Sequence, residues 1–195
     1  MESIDFGNFF SMALGDSRGA LQFRMSDTRF KPEDLFKYNQ VNSQDVILLN
    51  QVRGKKKYDF LTSGFAYLNI ASSKFWNVIE KHNLIGIRSI GVSSPDLNDS
   101  EYRLCSIVGK CGPKIDSLSV QIDRPFPLDP SRTYKTWAGL YFDLKSWDGS
   151  DFFSPEGTYY TLITRRAKEV LIENKITNVS FTPITQVENF DLLLR

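Results

Sequence analysis

The sequence carries a single histidine, His82, so any Ser-His-Asp or Cys-His arrangement must run through that one residue. No Gly-x-Ser-x-Gly elbow accompanies it. His82 falls where a helix should end, and an imidazolium is favoured beside the free carbonyls there; capping or surface placement is the expectation. Cysteine is nearly as scarce. Cys105 and Cys111 lack both the spacing and the companion ligands of a zinc knuckle, and they read as reduced thiols rather than as the staple of a secreted scaffold. Gly-x-Gly-x-x-Gly, His-Glu-x-x-His and a phosphate-binding loop are also missing, so neither cofactor nor metal is expected. The first twenty residues include Glu2, Asp5 and Asp16 and no apolar run of signal length, and no stretch approaches a membrane span; a cytoplasmic protein is expected. Twenty-four basic against 23 acidic residues leave a net charge of +1, which supplies no global field for nucleic acid or an anionic membrane.

A hydrophobic fraction of 41% and 15 phenylalanines in 195 residues are enough for a substantial core. The most regular stretch runs from Trp147 to Ile184. Tyr159 to Ile163 reads as a strand, and Thr164 offers a hydroxyl to the free N–H groups of a following helix. Ala167, Val170 and Leu171 recur at helical spacing, with charged residues between them. Ile176, Val179, Phe181 and Ile184 then supply a second extended segment ending near Pro183. The same order occurs earlier: Leu68 to Ala71, the cap Ser72, a helical run with Phe75, Val78 and Ile79, and an exit through Leu84 to Ile87. Ser72 and Thr164, Val78 and Val170, Ile79 and Leu171, Leu84 and Ile176, and Ile87 and Val179 are each 92 residues apart. An internal duplication of a strand–helix–strand module is the reading that such an even register favours.

Elsewhere the signals are shorter. Phe30 to Asp34 reads as a turn around Pro32, and Val46 to Leu49 with Val52 as a buried strand. Arg53-Gly54-Lys55-Lys56-Lys57 is the densest basic run and reads as a solvated hairpin tip. Pro95 to Ser100 is the clearest loop and divides an N-terminal half, 1–95, from a C-terminal half, 96–195, within what can still be one compact domain. Glu101 to Val108 and Ile115 to Ile122 read as a hairpin turning at Gly109 to Pro113. Arg124 to Pro130, with three prolines, reads as a rigid connector without regular structure. Leu192 to Leu194 in the tail read as a last docking element.

Asp148 and Asp151, in Trp147-Asp148-Gly149-Ser150-Asp151-Phe152-Phe153, are the carboxylates that invite a chemical role. Flanking a glycine three residues apart, they can converge on a cation or act as acid and base. The alternative is a self-bonded turn, with Gly149 left-handed and Trp147, Phe152 and Phe153 presented to the core.

This turn, the strand, Thr164, the helix and the exit Ile176-Thr177-Asn178-Val179-Ser180-Phe181-Thr182-Pro183-Ile184 together resemble the C-terminal signature of bacterial immunity proteins from polymorphic toxin systems. The chain is similar in particular to the group with a doubled Cys-x-x-Cys-Gly motif and its cysteine-poor relatives. Cys105 to Cys111-Gly112 departs from that motif, so metal binding does not carry over. The resemblance implies a protein that binds and neutralises a cognate toxin without catalysis. Arg53, Lys55, Lys56, Lys57, Asp96 and Asp99 are the loop residues expected to meet such a partner. Two rival classes are a carboxylate- or metal-dependent enzyme centred on Asp148 and Asp151, and a structural binding module with no toxin. The expected fold is α+β: duplicated strand–helix–strand units on mainly antiparallel β-sheet, with more strand than helix.

Overall fold

A computed structural model describes residues 5–97, 101–126 and 128–189. Along the chain lie β1 (Phe9–Leu14), β2 (Gln22–Met25), α1 (Pro32–Lys37), β3 (Val46–Arg53), β4 (Phe60–Phe65), β5 (Leu68–Ser72), α2 (Ser73–Lys81), β6 (Ile87–Ser93) and β7 (Tyr102–Ile107). They are followed by β8 (Gly109–Pro113), β9 (Val120–Phe126), β10 (Asp129–Ala138), β11 (Phe152–Glu156), β12 (Thr161–Thr164), α3 (Arg165–Glu173), β13 (Val179–Pro183) and β14 (Glu188–Asn189). The fold is α+β with more strand than helix. Most strand pairings are antiparallel; β2 with β4, β3 with β6, and β8 with β11 are parallel.

The two helices expected from capping and spacing form with those caps. Ser72 Oγ accepts from Phe75 N at 3.3 Å and Thr164 Oγ1 from Ala167 N at 3.2 Å, satisfying N–H groups that have no partner inside the helix. The repeat extends well beyond the helices. In one unit Phe60 pairs with Ala71 and Leu61 with Ile70; in the other Phe152 pairs with Ile163 and Phe153 with Leu162. After each helix the backbone turns through a left-handed residue, Asn83 at φ 48° and Lys175 at φ 53°. The sheet orders β6-β7-β5-β4 and β13-β1-β12-β11 are therefore the same order, with β7 and β1 in equivalent places: Ser72 lies opposite Tyr102, and Thr164 opposite Phe9.

β1 comes from the opposite end of the chain to the sheet it completes. A boundary at residue 95 is thus crossed by two strands, since β1 belongs with β12 and β13, and β7 with β5 and β6. The first unit is closed into a six-stranded barrel by β2 and β3, while the second is extended at its edge by β8. Successive residues of a strand face opposite ways, so the second sheet serves two cores. Phe10, Phe152 and Ile163 join a large apolar cluster with Phe60, Phe75 and Ile79; Phe9, Phe153 and Leu162 join a smaller one with Phe142 and Ile184.

Asp151 accepts from Ile85 N and Asp59 from Thr177 N, so the units contact each other reciprocally, as a local two-fold axis requires, and residues near such an axis meet their own counterparts. Tyr67 and Tyr159, 92 residues apart, stack with ring centroids 4.6 Å apart and planes inclined by 24°. His82 Nε2 lies 3.4 Å from Asn174 Nδ2, its own counterpart.

Several expectations are corrected. Pro32 opens helix α1 rather than a turn, its fixed φ suiting the first helical position, and Leu35 and Phe36 are buried beneath it. β3 is only half-buried: Ile47 and Leu49 face inward, whereas Val46, Leu48 and Val52 face out. The basic run is not a hairpin tip, since β3 and β4 both pair with β2 and not with each other; Ala20 bridges to Lys56 instead. Gly109 to Pro113 is a strand, β8, paired in parallel with β11, and not a hairpin turn. The expected proline-rich connector is the tip of a real hairpin, β9–β10. Pro125 is tolerated because β9 is the outer strand of its sheet, and Pro130 sits where the register slips between Asp129 and Thr133. Leu192 to Leu194 lie outside the described residues.

Candidate functional site

The turn from Trp147 to Phe153 is held by its own polar groups. Asp148 Oδ1 accepts from Ser150 N at 3.0 Å, and Trp147 Nε1 donates to the Ser150 carbonyl at 3.0 Å. Gly149 takes φ 84°, a conformation glycine adopts without steric cost. Asp148 Oδ2 accepts from Lys110 N at 2.8 Å, which ties the turn to β8. Phe152 and Phe153 are fully buried, and Trp147 packs edge-on against Phe9 at 5.1 Å.

Asp151 faces a different way. Its Oδ1 accepts from the Thr164 hydroxyl at 3.0 Å, and its Oδ2 from Ile85 N at 3.1 Å and Arg166 Nη1 at 2.8 Å. Its carbonyl accepts from Thr164 N. Every carboxylate oxygen of Asp148 and Asp151 therefore accepts a hydrogen bond from the protein, the two groups being bound to different segments. What the arrangement does is splice the cap of α3 to the exit of α2.

Asp59 repeats this in the first unit, 92 residues earlier. Its Oδ1 accepts from the Ser72 hydroxyl at 2.8 Å, and its Oδ2 from Thr177 N at 3.0 Å and Lys74 Nζ at 3.2 Å. Its carbonyl accepts from Ser72 N. Each aspartate thus joins the start of its own helix to the exit of the other helix, and the pair forms a reciprocal clasp. Burial pushes the Asp59 carboxyl up, but the bonds from Ser72, Thr177 and Lys74 outweigh it and hold the group below its ordinary value.

The residues expected to meet a partner are partly brought together. Arg53, Lys55, Lys56 and Lys57 are exposed. Arg53 Nε donates to Gln22 Oε1 at 2.7 Å, and Lys57 pairs with Glu101 at 2.7 Å, so part of the run is already engaged. Asp96 is exposed in a turn whose N–H reaches Ser94 Oγ at 3.4 Å. Asp99 lies outside the described residues. Among the described residues, no three His, Cys, Asp or Glu side chains cluster as metal ligands. Burial pushes the Cys105 thiol well up and the Cys111 thiol to about 12. No helix among the described residues is long and apolar enough to cross a membrane.

Two features escaped sequence reasoning. The first is the β9–β10 ribbon, most of whose residues are exposed. Leu128 is 100% exposed at its tip and Val120 61% exposed on its flank. Phe126, beside the tip, is covered partly by Tyr134 at 5.2 Å and by the Arg132 guanidinium at 5.2 Å. The ribbon is rooted by β14 and by Arg124 Nε bonding Glu188 at 2.7 Å. Its alternating apolar residues were visible only as far as the first proline. The second is a cleft of about 680 Å³ where the end of α1 meets β6, β8 and β11. Its lining comes from four separated segments, and no local pattern announces it.

No protein-family model matches the chain, and no curated protein matches it.

Proposed function

We propose that this is an immunity protein, which binds a cognate bacterial toxin in the producing cell's cytoplasm and neutralises it by protein–protein contact without catalysis. The observation that carries the reading is the β9–β10 ribbon. A two-stranded ribbon gains little by exposing apolar groups to water, and Phe126, Leu128 and Val120 together offer anchors of the kind that partner surfaces bury. The resemblance of the Trp147 to Ile184 region supplies the class of partner. The clasp supports the reading from the other side: in an immunity protein the signature aspartates have scaffold work to do, and Asp59 performs the same work where no signature is present. The rival enzyme reading gains nothing from carboxylates whose oxygens all accept protein hydrogen bonds.

The test is to read the genes directly beside this one for a large secreted protein and co-express that protein with the chain; finding none overturns the reading. The native chain should form a stoichiometric complex with it and rescue growth. Phe126→Ala with Leu128→Asp should fold normally and lose at least tenfold in affinity, whereas reversing the charges of Lys55, Lys56 and Lys57 should cost less. A ribbon variant with full rescue overturns the assignment of the surface; a native chain that neither binds nor rescues overturns the function.

A further inference from the structure

Three cations line the cleft at the end of α1: Lys37 from the last turn of that helix, Arg88 from β6 and Lys110 from β8. Among the described residues, none of the three forms an ion pair. Lys37 Nζ donates to Ser154 Oγ at 2.7 Å and lies 5.0 Å from the centre of the Phe36 ring, while the Arg88 guanidinium lies over Tyr38 at 5.1 Å. Glu156 is the one acid in the lining, against three cations. Like charges gathered in a concave site with only one counter-charge among three are unfavourable in the empty protein and become favourable when an anion enters.

We propose that this cleft is a binding site for a small molecule bearing an oxyanion, phosphate or carboxylate, seated among Lys37, Arg88 and Lys110. The site is built rather than incidental. Lys37 is carried on a helix whose Leu35 and Phe36 are fully buried, and Leu35's carbonyl accepts from the Ser106 hydroxyl at 2.6 Å, so the lysine's position is fixed by the core. A solvated lysine has no need of such a mounting. Ser154, its hydroxyl partner, is itself buried and held by its own bond to the Thr158 carbonyl at 3.3 Å, so it anchors the lysine in place. The volume, about 680 Å³, is that of a ligand pocket for a metabolite-sized molecule.

Burial lowers the Lys37 ammonium to about 8; Cys111 opposes this, and the Lys110 charge adds a smaller push downward. An entering anion favours the charged form. Binding should therefore take up a proton near pH 8 and weaken as pH rises above it. Arg88, Lys110 and Glu156 are the other charged groups lining the cleft, and the Cys111 thiol, pushed up to about 12 by burial, stays protonated near pH 8. This inference is independent of the toxin reading, since it concerns the free protein alone.

The experiment is calorimetric titration of the intact protein at low salt with inorganic phosphate, adenosine monophosphate and citrate in turn. Saturable one-to-one binding by at least one is expected, weakened tenfold or more by Lys37→Met and by Arg88→Gln and left unchanged by Lys81→Gln. Preference for the nucleotide or phosphate identifies a phosphate ligand; preference for citrate identifies a carboxylate. A second readout does not depend on the variants' folding: acylation of Lys37 at pH 8, followed by peptide mass, should slow at least threefold when the preferred probe is present. No saturable binding by any probe, or binding that Lys37→Met and Arg88→Gln leave intact while Lys37 acylates at an unchanged rate, overturns the proposal.

Discussion

Asp59 and Asp151 hold equivalent places in two units of one chain, yet only Asp151 stands in a stretch that looks like a motif. Around Asp151 the sequence supplies Trp147, Asp148 and Gly149, a turn with its own hydrogen bonds; before Asp59 it supplies Lys55, Lys56, Lys57 and Tyr58. The bonds made by the two carboxylates are nonetheless the same in kind: a helix-cap hydroxyl, the backbone N–H after the opposite helix, and a cation two residues beyond the cap. The conspicuous residues therefore shape the approach to β11, and the clasp itself needs only an aspartate placed before a buried phenylalanine. A motif's visibility and its structural work are separate properties here.

The units differ most after their helices, and that difference has the largest expected consequence. Gly86 takes φ 95° with the Phe152 carbonyl packed where a Cβ would stand. Its counterpart Asn178 takes φ 61° and donates from Nδ2 to the Phe60 carbonyl at 2.7 Å. Gly86→Ala should cost about 3 kcal/mol through backbone strain and the collision, and Asn178→Ala about 2 kcal/mol through a buried bond lost at a left-handed position. Urea unfolding of each checks the order, and an inverted order would break the account of the two exits.

The caps should behave alike. Ser72→Ala and Thr164→Ala each remove a helix cap and a bond to the clasp, and each should lose about 1–2 kcal/mol in thermal or urea unfolding. A large difference between them would show that one unit carries the clasp alone.

Acid sharpens the same point. Because the Asp59 carboxyl is held below 3.8 in the folded protein, its contribution is present above about pH 4 and fades as pH falls through the lowered value. Asp27, lowered chiefly by its bond from Arg29, contributes in the same window. The Asp59→Asn variant should therefore show a shallower loss of stability below pH 4 than the native chain, and Asp27→Asn a separate, additive one. The smallest effect belongs to the ribbon, where Leu128→Asp should leave the melting behaviour within about 0.5 kcal/mol of native.

Helices α2 and α3 were legible because a cap hydroxyl and apolar residues at helical spacing are local signals, and the 92-residue register needed only the sequence laid on itself. That register sets Asp59 on Asp151, but its work was not legible, since its partners Ser72, Lys74 and Thr177 meet it only in the fold. Helix α1 is six residues long, too short for periodicity to outweigh the proline that opens it. The ribbon was hidden by Pro125 and Pro130, which forbid a regular central strand but not an outer strand or a slip in register. The exchange of β1 and β7 between sheets leaves no trace in composition at all, because it is a matter of which edges pair.

The most direct test of the clasp is urea unfolding of Asp59→Ala and Asp151→Ala against the native chain, followed by circular dichroism and by tryptophan fluorescence. Each variant should lose about 1–3 kcal/mol, from a part-buried cap hydroxyl and a backbone N–H left without their acceptor while the half-exposed Lys74 or Arg166 returns to water, in one transition seen alike by both probes. An Asp151→Ala protein that unfolds at the native midpoint would contradict it, and would return that carboxylate to the list of groups kept for chemistry.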